Sequence, residues 1–135
     1  MALFQALDTA TSGASLASTW LNAISDNVAN VNTVRPAGQE PFRAELVVAK
    51  SLGAPGQVGT GVAVQSIARK AGDPEVVYDP ENPLADAQGN VTRPVVDMSE
   101  EMTNLMIASR TYQANLSVMD RVRDAYLKAL EIGHR

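Results

Sequence analysis

Three carboxylates are the best candidates for chemistry in this sequence. Asp97, Glu100 and Glu101 stand close together after a proline, and two carboxylates held side by side can act as general acid and general base. The same pattern is typical of the first turn of a helix, where acids are stabilised by unpaired N–H groups and by the helix dipole. A helix start, unlike a catalytic pair, does not require these carboxylates to lie in a pocket. The sequence therefore predicts a helix start and no catalytic residue.

A second acidic group lies among prolines and glycines and consists of Asp73, Asp79, Glu81 and Asp86. Carboxylates are calcium ligands, but their spacing here lacks the ligand order of an EF-hand loop. We therefore expect solvated turns. The glycine-rich run "GQVGTG" at 56–61 is not followed by Gly-Lys-Ser/Thr, so a phosphate-binding loop is not expected either.

Composition excludes further classes of site. The chain has no cysteine and one histidine, His134, which we expect to be exposed. Its net charge is −4 without a basic cluster, which argues against nucleic-acid binding. No apolar run approaches the roughly 18 residues of a spanning helix. We expect no metal, no cofactor, no nucleic acid and no insertion into a membrane.

The elements that position these residues begin with a long N-terminal helix over 1–33. Apolar residues recur there at alternating steps of four and three, the spacing of a helix-contact seam. The seam consists of Leu3, Leu7, Ala10, Ala14, Ala17, Leu21, Ile24, Val28 and Val31. Residues 9–33 carry one charge, Asp26, and four asparagines. A helix with so few charges is predicted to contact neighbours on more than one side, with amides hydrogen-bonding across those contacts.

A second long helix is predicted over 97–135. Asp97 is placed to act as N-cap, Glu100 stands where a capping box needs it, and Gly133 marks the stop. The predicted seam follows the same rhythm and consists of Met98, Met102, Leu105, Ser109, Tyr112, Leu116, Met119, Arg123, Tyr126 and Leu130.

Proline and glycine are concentrated between the helices, in residues 34–96. Short β-like runs at 42–49, 61–68, 75–78 and 90–96 predict an irregular β-rich insert, with a mobile loop near 50–61. The predicted fold is mainly α with a small β region. Its terminal helices pack as an antiparallel, coiled-coil-like hairpin, both chain ends lie at one extremity, and the insert lies at the other.

Several segments resemble one protein family. "LNAISDNVANVNT" at 21–33 is similar to the N-terminal signature of bacterial flagellar rod and hook proteins. "PFRAELVV" at 41–48, residues 77–102, "ASRTYQAN" at 108–115 and "LKALEIG" at 127–133 resemble the C-type subunits of the proximal rod. The resemblance spans nearly the whole chain.

The resemblance implies a structural subunit that assembles helically through its terminal helices and transmits torque for motility. Implied partners are copies of itself, other rod subunits and the flagellar type III export apparatus. The implied location is the basal-body rod crossing the periplasm, after export from the cytoplasm without a cleaved signal. The implied assembly residues are Leu21, Asn22, Ile24, Asn27, Val28, Ala29, Asn30, Met102, Leu105, Met106, Arg110, Tyr112, Gln113 and Asn115.

A different class of function also fits the helix pattern. A cytoplasmic coiled-coil adaptor or export chaperone would have the same long seams, but its helices would be ordered alone and form a defined small oligomer. A rod subunit is expected to show less helix when isolated, because a seam rich in alanine buries little area per residue.

Overall fold

The computed structural model describes residues 2–53 and 59–133. The elements, in chain order, are α1 (Ala2–Asn30), β1 (Arg35–Pro36), β2 (Glu45–Leu52), β3 (Gly61–Arg69), β4 (Glu75–Tyr78), β5 (Asn90–Arg93) and α2 (Met98–Gly133). The predicted fold class is confirmed: two long terminal helices pack together, and a small β region is inserted between them. Within the described ranges, no helix is both long and apolar enough to span a bilayer.

The two helices run antiparallel. The ring centroids of Phe4 and Tyr126 lie 6.0 Å apart in an edge-to-face arrangement at one end, and the side chains of Asn27 and Glu101 are hydrogen-bonded at the other. The predicted α1 seam forms the contact, and four of its members are buried: Ala10, Ala14, Ala17 and Ile24. Small side chains dominate this seam, so the helix backbones can approach closely.

The predicted seam of α2 was wrong at several positions. Leu105, Tyr112 and Met119 are half-buried as expected, but Met98, Met102 and Leu116 are exposed. The residues Glu101, Ala108, Asn115 and Val122 take their places, and Ala108 is completely buried. The close approach of the alanine-lined α1 favours small residues on α2. Met98, Met102 and Leu116 consequently lie on a different face.

The position of the insert also differs from the prediction. The β2–β3 hairpin lies alongside α1 and does not lie beyond the end of the helix pair. The backbone N–H of Val62 donates to Ser12 Oγ at 3.1 Å, and Leu16 and Trp20 of α1 line one hollow together with residues of β2. The hairpin therefore covers one further side of α1, the side that carries Leu16 and Trp20.

A glycine permits this close approach. A Cβ at Gly61 would lie 2.5 Å from Ser12 Oγ, and the φ of +140° at Gly61 is disfavoured for other residues. Gly61, the last residue of the glycine-rich run, thus serves helix–strand packing.

The predicted loop near 50–61 differs from the structure at both ends. Lys50, Ser51 and Leu52 belong to β2 and pair with β3, which begins at Gly61. The β-forming residues that flank the glycines extend the hairpin on both sides. Residues 54–58 of this loop, like His134, lie outside the described residues.

The remaining strands form a small antiparallel sheet with the order β1-β5-β4. Val91 and Thr92 of the central strand are buried. The loop between β4 and β5 is fixed by Asp86, whose Oδ1 accepts hydrogen bonds from the N–H groups of Gln88 and Asn90. The carboxylate of Asp86 therefore stabilises this turn.

The helix ends follow the sequence signals in part. Asp97 Oδ1 accepts hydrogen bonds from the N–H groups of Ser99 and Glu100, which confirms the predicted N-cap. Glu100 does not complete a capping box, because its carboxylate lies 2.7 Å from Lys70 Nζ. The helix α1 ends at Asn30, three residues before the predicted boundary at 33.

The crossing of the helices at Gly13 generates a prediction. A Cβ there would lie 2.7 Å from Asn115 Oδ1, so Gly13→Ala should destabilise the chain by about 1 kcal/mol, because the packing cost exceeds the gain in helix propensity. In an Asn115→Ala background the same substitution should stabilise by up to about 1 kcal/mol, since only the propensity gain remains. Denaturant unfolding of the four variants tests this. The same sign in both backgrounds would contradict it.

Candidate assembly interface

A buried amide joins the three parts of the fold. Asn27, 1% exposed, donates from Nδ2 to the carbonyl oxygen of Glu45 at 3.0 Å and to Glu101 Oε1 at 3.1 Å. Its Oδ1 accepts from the N–H of Glu45 at 2.7 Å. One side chain on α1 therefore fixes the start of β2 and the first turn of α2.

The chemistry of this junction requires asparagine. Glu45 and Glu101 together require two donated hydrogen bonds and one accepted one, and a side-chain amide supplies this set, whereas a hydroxyl has a single donor. All of the amide groups of Asn27 are used within the chain. Its structural role is consequently inside the subunit, whereas the sequence had suggested contacts between chains for the asparagines of this segment.

Glu101 is the partner that sequence reasoning missed. It was interpreted as a helix-start acid, yet it is 6% exposed. Burial raises the pKa of its carboxyl above the ordinary value of 4.5, while the hydrogen bond from Asn27 lowers that pKa. Glu100 and Asp97 raise it further and Lys70 lowers it. The available signal was spacing, because Glu101 precedes Ala108 and Asn115 at steps of seven.

The predicted assembly residues divide into three groups by burial. Ile24 and Asn27 are buried inside the subunit. Half-buried positions at the helix contact or beside it are Leu21, Val28, Asn30, Leu105, Tyr112 and Asn115. Exposed positions are Asn22, Ala29, Met102, Met106, Arg110 and Gln113. Only the last group offers whole side chains to another molecule.

The exposed group includes part of an apolar surface on α2, here called the α2 stripe. It consists of Met98, Met102, Met106, Leu116 and Leu127, all exposed, with Met106 at 57%. Met98, Met102 and Leu116 are the residues that the predicted seam had placed against α1. Part of the apolar pattern on α2 thus lies on a surface that the partner helix of the same chain leaves exposed.

A complementary surface lies on α1 and is here called the α1 outward face. It consists of Thr11, Ser15, Ser18, Asn22, Ser25 and Ala29. Its residues are small and uncharged. The hydroxyls of Thr11 and Ser25 donate to the carbonyl oxygens of Leu7 and Leu21, both at 2.8 Å. Because these two donors are already satisfied, covering them costs little hydrogen bonding to water.

Helical geometry places the two surfaces on one side of the pair. Each member of the α1 outward face follows a member of the α1 seam by one residue, and Met102, Met106, Leu116 and Leu127 likewise follow the contact positions of α2. In an antiparallel pair, a step of one residue turns toward the same side on both helices. The hairpin contacts residues that precede the seam, such as Leu16, Trp20 and Asn27, so it covers the opposite side.

The surface area of the chain agrees with a subunit made for contact. The accessible surface is 9320 Å², whereas a compact monomer of 14.3 kDa exposes about 6,800 Å². The buried apolar side chains of the described residues are mostly alanine, with Ile24 and Val91 the largest that are fully buried. A single copy therefore leaves much apolar surface in water.

No arrangement for catalysis or metal binding emerges among residues 2–53 and 59–133. No group of three or more acidic or histidine side chains in this part of the chain is placed to hold a metal ion. Glu101 is hydrogen-bonded to an amide in a packed junction.

Comparisons with known proteins agree with this geometry. A family model described as Flagella basal body rod protein matches residues 7–36, and one described as Flagellar basal body rod FlgEFG protein C-terminal matches residues 87–132. The chain is 43% identical to the flagellar basal-body rod protein FlgC of Salmonella typhimurium over 133 residues, covering 98% of this chain and 99% of the relative.

More distant relatives carry the same name. The flagellar basal-body rod protein FlgC of Yersinia enterocolitica is 40% identical and that of Bacillus subtilis is 32% identical. Both matches cover 98% of this chain and 99% of the relative. These similarities favour the rod subunit over the cytoplasmic adaptor that the helix pattern had left open.

The raised pKa of Glu101 predicts a specific pH dependence. The folded state holds this proton to higher pH than the unfolded state does, so the associated stability is complete below about pH 4.5 and is lost as pH rises through the folded pKa. Glu101→Gln keeps an acceptor for Asn27 and removes the ionisation. We expect the variant to gain stability relative to the wild type between pH 4 and pH 7, as measured by denaturant unfolding.

The matched control is Glu100→Gln, which removes a charge from the exposed neighbour that pairs with Lys70. This variant should not gain stability over the same pH range. If Glu101→Gln and Glu100→Gln show the same pH profile, the burial of Glu101 does not govern its ionisation.

Proposed function

We propose a contact surface for this chain, which belongs to the family of flagellar basal-body rod protein FlgC and is a structural subunit of the rod. Neighbouring subunits pack on the uncovered side of its two helices. The observation that carries this proposal is the α2 stripe: bulky apolar side chains repeat at helical spacing and remain exposed, with Met106 at 57%. Helices with an uncovered apolar stripe associate when a second helix buries it.

The α1 outward face is the complementary half of this proposed contact. Its small, uncharged residues let another helix approach closely, and bulky residues of the α2 stripe fill the space beside them. Each such contact removes apolar area from water at about 25 cal/mol per Å². Many contacts of this kind, repeated along a helical assembly, distribute the load of torque over packed side chains.

Assembly residues within the helix contact act indirectly in this proposal. Ile24, Leu105 and Tyr112 hold the two helices in register, and Asn27 fixes the ends of the helices to the hairpin. They shape the outward surfaces without needing to touch the neighbour.

The proposed route to the rod is export by the flagellar type III apparatus followed by assembly across the periplasm. The sparse core supports this route. Besides Asn27, the largest fully buried side chains among the described residues are Ile24 and Val91, so the isolated subunit has little packing energy to lose when the chain unfolds for transport. The proposal assigns the chain no catalysis and no cofactor.

The decisive variants are at Met106. In Met106→Glu, a charge would have to be buried at the contact without a partner, so we expect loss of rod incorporation and of swimming. Because Met106 is exposed, the stability of the isolated chain should change by less than about 0.5 kcal/mol. Ile24→Asp is less informative, since Ile24 is buried and its loss unfolds the subunit.

Met106→Leu is the control, because it keeps an apolar side chain of similar volume. It should retain swimming and a normal copy number in purified basal bodies. The measurements are motility in soft agar and the amount of subunit in detergent-extracted basal bodies. Normal incorporation of the Met106→Glu variant would refute the proposed contact.

A further inference from the structure

Charge is strongly segregated within the β region. Residues 34–70 carry five basic and two acidic side chains, whereas residues 71–92 carry five acidic side chains and no basic one, and Arg93 follows opposite Glu75 in the β4–β5 pair. The first segment forms β1 and the β2–β3 hairpin, and the second forms β4 and the loop that follows it. Two surfaces of opposite charge are therefore built from consecutive segments of one chain.

The acidic surface, here called the acidic edge, lies on β4 and beside it. Asp73, Glu75 and Glu81 are exposed, and none of them lies within 4 Å of a basic group among the described residues. Two apolar side chains of β4 are exposed beside these acids: Val76 is 63% and Tyr78 is 70% exposed. An exposed aromatic residue among unpaired charges is typical of a protein contact.

The basic surface is a groove between β1 and the base of the hairpin, here called the arginine groove. Arg35, Arg43 and Arg69 line it together with Glu40 and Glu45. Arg43 is occupied, since its Nε lies 2.7 Å from Glu40 Oε1 and its side chain donates to the carbonyl oxygen of Gly72. Arg35 and Arg69 have no carboxylate within 4 Å in the described part of the chain.

The two surfaces of one chain are not paired with each other among the described residues. The central strand β5 lies between β1 and β4, so the outer strands are about 10 Å apart and their free edges face in opposite directions. In the described part of the chain neither Arg35 nor Arg69 has a carboxylate within 4 Å, which leaves both for a carboxylate of another molecule.

We propose that the acidic edge of one copy docks into the arginine groove of the next copy of this chain. The inference rests on the proposed function, because it names a second contact between rod subunits, separate from the helix surfaces. Charge complementarity selects a second copy as the occupant: Glu75 and Glu81 supply the carboxylates that Arg35 and Arg69 lack. Tyr78 adds apolar area at the same contact.

Such a contact is heterologous, because different surfaces of the two copies meet. A heterologous contact repeats from copy to copy and closes into a ring or continues as a helix. The β regions therefore link neighbours around the axis, while the helices supply the larger apolar contact.

Charge reversal with repair tests the proposal. Arg35→Glu with Arg69→Glu, and separately Glu75→Lys with Glu81→Lys, should each lower incorporation into basal bodies about tenfold, because like charges then face each other. The fourfold variant, in which both surfaces are reversed, should recover most of the incorporation. Arg35→Lys with Arg69→Lys is the control that keeps the charge and should assemble normally. Circular dichroism confirms that each variant folds like the wild type.

Introduced cysteines test the geometry independently, because the chain has none of its own. Two tagged copies, one with Arg69→Cys and one with Glu81→Cys, should form a crosslinked heterodimer with a short bismaleimide in assembled basal bodies. Two copies that both carry Arg69→Cys should not crosslink, since grooves do not face each other.

The outcomes separate this inference from the proposed function. Failure of the fourfold variant to recover, or a crosslink between two Arg69→Cys copies, overturns the groove contact. Neither result affects the expectation for Met106→Glu, which tests the helix surface alone.

Discussion

The fold depends on three hydrogen bonds made by one buried side chain. Asn27 of α1 holds both backbone groups of Glu45 at the start of β2 and the carboxylate of Glu101 in the first turn of α2. The buried apolar side chains between the helices are mostly alanine, so apolar contact alone specifies their register weakly. A polar group that is satisfied in only one arrangement costs about 1–3 kcal/mol when it is displaced. The amide of Asn27 thus specifies how the two helices are aligned, and the seam supplies the apolar contact between them.

The sequence predicted the larger features because they rest on local rules. The heptad spacing of α1, the N-cap at Asp97 and the β-like runs each follow from the chemistry of neighbouring residues. The seam of α2 could not be assigned in the same way. It carries apolar residues on more than one face, and the choice between Met102 and Glu101 as contact residue depends on how closely α1 approaches. That distance is a tertiary property, set by alanine and glycine on the other helix.

The asparagines show the same limit. The sequence indicated that α1 has contacts on a second side, and this is correct. However, the partner on that side is the hairpin of the same chain, which the position of the insert alone could not reveal. Sequence reasoning assigned Glu101 to the helix dipole because the partner that buries it lies 74 residues away. Candidate assembly residues were therefore drawn from both sides of the helix contact, and the structure separates those that build the subunit from those that remain open.

The α1 outward face has a mechanical consequence. The hydroxyls of Thr11 and Ser25 are bound to their own backbone, so these two side chains impose no directional bond on whatever lies against the face. Contacts without directional bonds tolerate sliding by fractions of a helical turn. A tube built from several kinds of subunit needs such tolerance where one kind gives way to the next, because the two layers differ in sequence and in spacing. If the proposed contact forms through this face, it would tolerate such mismatch at that junction.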